Sequence, residues 1–304
     1  MHKRHTWAAF ADDVLALYAP PIRRKATWRK LEHVLREFQP LCRYSEDLTP
    51  SVVAAWIAAH PGRRPATVDS FLRSLRAACN YGMSAGYLRE SPFAFRSPRH
   101  WVDWSVEPLP PAVHTAEEIA RVLARADFEA QAGRWRNLRL RAVIYTAAFT
   151  GARKREILAA CVADLQLDQG LMTIRPNARR PLKTPSSAAQ IPLAPPLVAV
   201  LEGWVAICGS PWLFPGIRRQ GPWLEGPAGA KALDQVKGLG LRAGVRGLTF
   251  QSFRHSLASL SEGWGIGELA LQRLLRHSSP RTQEYYRHAI PAVLRDVAAR
   301  IHFP

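Results

Sequence analysis

Between Ser91 and His114 the chain reads SPFAFRSPRHWVDWSVEPLPPAVH, with five prolines and no sustained hydrophobic period. Proline removes a backbone donor and biases the residue before it away from the helical conformation, so no long regular element can run through this stretch. A chain of 304 residues interrupted there is expected to fold as two bodies, each large enough to bury its own core. The linker is placed at 106–114, giving domains of 1–105 and 115–304.

The first domain reads as helices at about 5–18, 25–38, 50–59 and 66–86. Thr49 followed by Pro50 is a start signal, because a hydroxyl can cap while proline takes the first helical position without losing a useful donor. Val68, Phe71, Leu72, Leu75, Ala78 and Cys79 recur at three- and four-residue spacing, which gathers them on one apolar stripe, and Gly86 is placed to end it. After the linker, Thr115 and Glu118 form a capping-box pattern ahead of Ile119, Val122 and Leu123. A long helix is expected at 135–149, with a short one containing Arg153 and Glu156 after the turn at Gly151. The residues flanking DQG at 168–170, and the run 190–193, suggest a small antiparallel sheet. Helices follow at about 195–207, 228–243, 249–262, 266–275, 280–287 and 291–301. The fold class is therefore mainly α with a small antiparallel β-sheet in the C-terminal domain.

Charge narrows the function. The formal net charge is +18, with 16 Lys or Arg against 8 Asp or Glu in residues 1–100 and 26 against 16 in the remainder. Duplex DNA is a dense line of negative charge that proteins bind largely by releasing its counterions, so both halves are suited to face it. Charge alone does not separate DNA from RNA or from an anionic membrane surface. Cysteines 42, 79, 161 and 208 are too widely spaced for a zinc site and too few for a disulfide scaffold, and read as reduced core residues. No run approaches the roughly 18 apolar residues of a membrane span, and the N-terminus has no apolar signal core. A cytoplasmic, nucleoid-associated protein is expected.

Three ordered segments carry chemistry. FTGARKREIL at 149–158 places Arg153 after a threonine-glycine turn, with Glu156 three residues on. TFQSFRHSLASL at 249–260 contains Gln251, Arg254 and His255. LLRHSSPRTQEYYRH at 274–288 contains His277, Thr282, Tyr285 and Tyr286. Together they resemble the motifs of the tyrosine recombinases, the phage integrase family, and the resemblance covers nearly the whole chain. In that family a histidine-containing segment written LGHSS is followed nine residues after the histidine by the nucleophilic tyrosine, a spacing that Tyr286 fits and Tyr285, the adjacent rival, does not. Gln251 departs from the family, which usually has histidine there. Glutamine donates a hydrogen bond but carries no proton. His255, the residue after Arg254, is expected to point about 100° away from it and not to substitute.

What the resemblance implies is a two-domain DNA clamp: a helical, SAM-like core-binding domain followed by a catalytic domain. Tyr286 would attack the scissile phosphate. Arg153, Arg254 and His277 would hold charge on its oxygens, with Glu156 bracing Arg153. Lys183, in the turn ahead of the 190–193 strand, would protonate the leaving 5′ oxygen, although Arg179 and Arg180 nearby equally fit as backbone-binding charges. No metal or other cofactor is implied. The partners would be double-stranded DNA and further copies of the chain in a tetrameric synapse, with a partner recombinase left open. The tail 289–303, with Ile290, Leu294, Val297 and Ile301 on one stripe, suits either docking on a neighbour or packing on its own domain. With no arm-binding domain ahead of the first helices in this sequence, a simple recombinase similar to the Xer or transposon-encoded kind is expected. Two alternatives remain: a type IB topoisomerase, which uses similar chemistry, and a catalytically weak or inactive DNA-binding accessory protein, motivated by Gln251.

Overall fold

The computed structural model describes residues 4–105, 111–180, 189–224, 227–276 and 290–304. The chain divides into two compact units, Met1–Leu109 and Pro110–Pro304.

The first unit is a helical bundle of α1 (Trp7–Leu17), α2 (Lys25–Phe38), α3 (Pro50–Ala58) and α4 (Pro65–Ser84). Thr49 caps α3, its hydroxyl accepting from the Val52 N–H at 3.4 Å, with Pro50 in the first turn. The α4 stripe lies inward, with Phe71, Leu72 and Leu75 buried. Its centre is aromatic: Trp56 stacks on Phe71 with centroids 4.4 Å apart and on Phe38 at 5.5 Å. Such offset pairs add about 0.5–1.5 kcal/mol beyond the area they bury. α4 ends two residues before Gly86, whose φ of +78° turns the chain back. Cys42 and Cys79 lie free in this core, and burial pushes both thiols up to about 12.

The second unit is built around α6 (Trp135–Thr150), which is buried along almost its whole length from Arg139 onward. A helix that is apolar on every side belongs in the middle of a domain, and α6 is flanked by α5 (Ala116–Ala130), α8 (Pro195–Cys208), α9 (Pro227–Arg242) and α10 (Phe250–Leu260). The capping box at Thr115 forms, with Glu118 N–H to the hydroxyl at 3.2 Å and Thr115 N–H to the Glu118 carboxylate at 3.0 Å. Arg139, fully buried, donates to the Pro215 carbonyl at 2.6 Å and lies 3.6 Å over the Trp223 ring. After α7 (Lys154–Leu158) come three strands, β1 (Leu165–Gln166), β2 (Leu171–Ile174) and β3 (Ala189–Pro192). They pair antiparallel in that order, with Met172 opposite Leu165 on one side and Ile191 on the other. The small sheet expected in the C-terminal half is thus present.

α11 (Glu268–Leu274) and α12 (Ile290–Arg300) complete the described elements. Val297, Ala298 and Ile301 are buried within this unit, and Phe303 packs edge-on against Phe149 and Trp264. Of the two placements open to the tail, its described part takes the one on its own unit. The helix expected at 280–287 lies outside the described residues. Among the described residues, no helix is long and apolar enough to cross a membrane.

Candidate active site

The site is assembled where the end of α6, the start of α7, α10 and the end of α11 converge. α6 terminates at Gly151, whose φ of +54° is left-handed. A side chain is excluded there twice over, because a Cβ would stand 2.7 Å from Leu275 Cδ2 and 3.1 Å from Leu257 Cδ2. The Thr150 hydroxyl tightens the turn by accepting from the Ala152 N–H at 3.1 Å.

Arg153 follows two residues later. It is the N-cap residue of α7, in extended conformation, and so stands one position ahead of the helix that its sequence leads one to expect it in. Glu156 closes the cap, with Oε2 accepting from the Arg153 N–H at 2.8 Å and Oε1 from Arg153 Nη1 at 2.9 Å. The bracing expected of Glu156 is therefore made by both backbone and side chain. The Arg153 side chain is 47% exposed while that of Glu156 is 8% exposed, so one carboxylate fixes the inner side of a guanidinium whose outer side faces solvent.

Arg254, on α10, is buried and held from two directions. Nη1 donates to the Gly151 carbonyl at 2.9 Å and Nη2 donates to the Leu275 carbonyl. Burial pushes its pKa down to about 10, assisted by the Arg153 and Arg276 charges. It stays charged at neutral pH. Gln251 lies three residues earlier on the same helix, exposed, and its amide meets His255 Nε2 at 3.1 Å. The sequence reading compared His255 with Arg254, its neighbour. Relative to Gln251 it is four residues on and so shares that face, a relation separate from its expected offset of about 100° from Arg254.

Two further arginines were not assigned roles of this kind from sequence. Arg276 is 6% exposed, and its Nη2 donates to Glu156 Oε2 at 2.6 Å. Its backbone φ is +54°, a conformation costing a non-glycine residue about 1–2 kcal/mol. The signal was present in the sequence, since LLRHSS carries arginine where LGHSS has glycine. Arg180, weighed beside Arg179 as a backbone-binding charge, is 1% exposed. It donates to Asp164 Oδ2 at 2.9 Å, to the Arg175 carbonyl at 2.8 Å and to the Glu156 carbonyl at 3.1 Å. Its charge is matched by the equally buried Asp164, which makes the two an internal ion pair rather than a nucleic-acid contact.

Among the described residues, the guanidinium groups of Arg153 and Arg276 thus share the Glu156 carboxylate, and that of Arg254, bonded to the Gly151 and Leu275 carbonyls, lies within the electrostatic reach of all three. Like charges gathered in a partly buried site repel one another unless an anion completes the set. Planar guanidinium forks match phosphate oxygens two at a time and stay charged at any physiological pH. Lys183, His277, Thr282, Tyr285 and Tyr286 lie outside the described residues, so the structure brings together Arg153, Glu156 and Arg254, with Gln251 on the helix that carries Arg254.

The chain is similar to known proteins over most of its length. A tyrosine recombinase XerD of Brucella suis biovar 1 is 25% identical over 252 residues, covering 80% of this chain and 78% of its own length. A tyrosine recombinase XerD of Listeria monocytogenes serovar 1/2a is 24% identical over 262 residues, covering 81% and 79%. In fold, the chain is similar to a lambda integrase tetramer bound to a Holliday junction, with a TM-score of 0.69 at 18% identity over 94% of this chain and 81% of that one. It is also similar to the Tn1549 transposon integrase in complex with transposon right end DNA, with a TM-score of 0.68 at 18% identity over 93% and 95%. Residues 114–292 match the model of the phage integrase family, and with more than half its length so matched, the chain belongs to the phage integrase family.

Proposed function

We propose that this chain is a site-specific DNA recombinase that cuts and rejoins strands through a 3′-phosphotyrosyl intermediate. The observation that carries the reading is the excess of positive charge around Glu156, built from the two arginines of the family's motifs and one more. In the reaction, the Tyr286 oxygen attacks the scissile phosphorus and its proton is released to water. The bond to the 5′ oxygen breaks, and Lys183 supplies the proton that this oxygen takes up. Arg153 and Arg254, with His277, stabilise the charge that develops on the nonbridging oxygens, which is the largest demand of such a step. One phosphodiester is exchanged for another, so the bond is conserved for religation.

Residues 1–105 are assigned as the core-binding domain and 115–304 as the catalytic domain. A charge of +8 in residues 1–100 and +10 in the remainder supports contact of both with duplex DNA. The lambda and Tn1549 integrases in the related structures are bound to DNA, one of them as a tetramer on a Holliday junction, and this chain is proposed to work on DNA as a homo-oligomer. Gln251 supports a second reading, an accessory protein that binds a site without cutting it.

The test is to select a binding site from random duplexes, nick it beside the candidate cleavage positions, and look for protein covalently bound to DNA on a denaturing gel. An adduct formed by wild type and Tyr285→Phe but absent from Tyr286→Phe establishes the chemistry and its nucleophile. If wild type binds the site tightly and leaves no adduct, catalysis is abandoned for the accessory reading. An adduct then gained by Gln251→His would identify position 251 as the cause.

A further inference from the structure

Arg276 occupies a backbone conformation that favours glycine, with φ +54°. A side chain kept there at a conformational cost must make contacts that offset it. Those contacts are specific: Nη2 on Glu156 Oε2 at 2.6 Å and Nη1 on the Leu274 carbonyl at 3.2 Å. Glu156 is consequently shared, with Arg276 on one oxygen and Arg153 Nη1 on the other at 2.9 Å. The two cations differ in access, since Arg276 is 6% and Arg153 47% exposed.

This difference assigns separate tasks. A carboxylate as enclosed as Glu156, with Arg153 as its only cation, would draw that guanidinium inward as its counterion. With Arg276 neutralising it from the buried side, Glu156 orients Arg153 through the backbone N–H and one Nη group and leaves the rest of the fork open to solvent. Burial lowers the Arg276 pKa and the Glu156 charge acts against that, in keeping with an internal ion pair. We propose that Arg276 is a positioning residue of the strand-cleavage site, acting through Glu156 to hold Arg153 turned outward toward the scissile phosphate. The inference rests on the reading of Arg153 as a phosphate ligand.

The experiment compares wild type, Arg276→Gly, Arg276→Lys, Glu156→Gln and the double variant Arg276→Gly/Glu156→Gln on the nicked duplex. It measures the single-turnover cleavage rate at saturating DNA, the Kd for the same DNA, and the melting temperature. Arg276→Gly is expected to slow cleavage about 10²-fold, the scale on which misplacement of a reacting group acts, with Kd changed by less than about threefold, because the Arg276 guanidinium is turned onto the Glu156 carboxylate and the Leu274 carbonyl and its charge is matched there. Arg276→Lys, which keeps the charge without the fork, is expected to recover about tenfold of that loss. In the Glu156→Gln background, Arg276→Gly should slow cleavage by less than about threefold, because residues acting through one partner are not additive. The double variant has neither buried charge, so it separates this effect from a folding defect. Unchanged cleavage by Arg276→Gly, or equal slowing in both backgrounds, overturns the proposal. If wild type itself forms no adduct, the reading of the site fails and this inference with it; an active wild type with an indifferent Arg276→Gly defeats the inference alone.

Discussion

Gly151→Ala isolates the turn on which the site is built. Two costs arise: an alanine at φ +54° is strained by about 1–2 kcal/mol, and its Cβ would lie 2.7 Å from Leu275 Cδ2 and 3.1 Å from Leu257 Cδ2, an overpacking worth about 1–3 kcal/mol. Stiffening of the unfolded chain returns about 0.4–1 kcal/mol. The control is Gly133→Ala, where φ is +65° and nothing lies within 4 Å of the new Cβ, so only the strain and the chain-stiffening contributions operate. The difference between the variants is therefore the packing cost, about 1–3 kcal/mol, or about 2–12 °C in melting temperature for a unit of this size. Tryptophan fluorescence against temperature measures it. A second readout follows from Leu275 and Gly151 both giving carbonyls to Arg254: strand cleavage should fall in Gly151→Ala and not in Gly133→Ala. Two variants melting within a degree of each other would refute the packing argument, and equal cleavage by both would refute its link to Arg254.

Arg180→Ala leaves the enclosed Asp164 carboxylate with Arg175, on its other oxygen at 2.7 Å, and should lower stability by about 3 kcal/mol or more. Arg175→Ala, removing a half-exposed partner, should cost about 1 kcal/mol or less; thermal melts that rank the two equally contradict the assignment of Arg180 as internal. For Glu156, burial pushes the carboxyl up, but the Arg276 charge and the bonds and charge of Arg153 outweigh it and hold the folded pKa below the ordinary value. A depressed folded pKa stabilises fully above the unfolded pKa and is lost as pH falls through the folded one. The stability difference between wild type and Glu156→Gln should therefore be level from neutral pH to about pH 5 and shrink below it; urea titrations giving a pH-independent difference would show that Glu156 is not held as an ion.

Much of this architecture was written in local patterns. The α4 stripe, the Thr49–Pro50 start and the Thr115–Glu118 box are each decided by residues a turn or less apart, and each took the structure its spacing implies. The partners of Arg180 and Arg276 were illegible for a physical reason. A run of charged residues reads as a surface face unless its partner is known, and these partners lie elsewhere in the chain: Asp164 is 16 residues from Arg180 and Glu156 is 120 from Arg276. The relation of His255 to Gln251 is legible as a four-residue spacing, which places both on one helix face. Tyr286 and Lys183, which carry the proposed chemistry, lie outside the described residues and stand on motif spacing and family membership.

The distances along the chain that join the arginine cluster also govern when it comes into being. Arg254 meets a carbonyl 103 residues earlier, and Arg276 a carboxylate 120 residues earlier, so no early segment of the chain contains the assembled charges. Contacts of such long range form only after the intervening chain has collapsed around them. During synthesis, α6 and Arg153 emerge well before either arginine that completes the cluster. A chain that ends before Arg254 therefore has Arg153 and Glu156 but neither of the other two arginines. The cluster is thus a property of the finished unit, which no shorter part of the chain can supply.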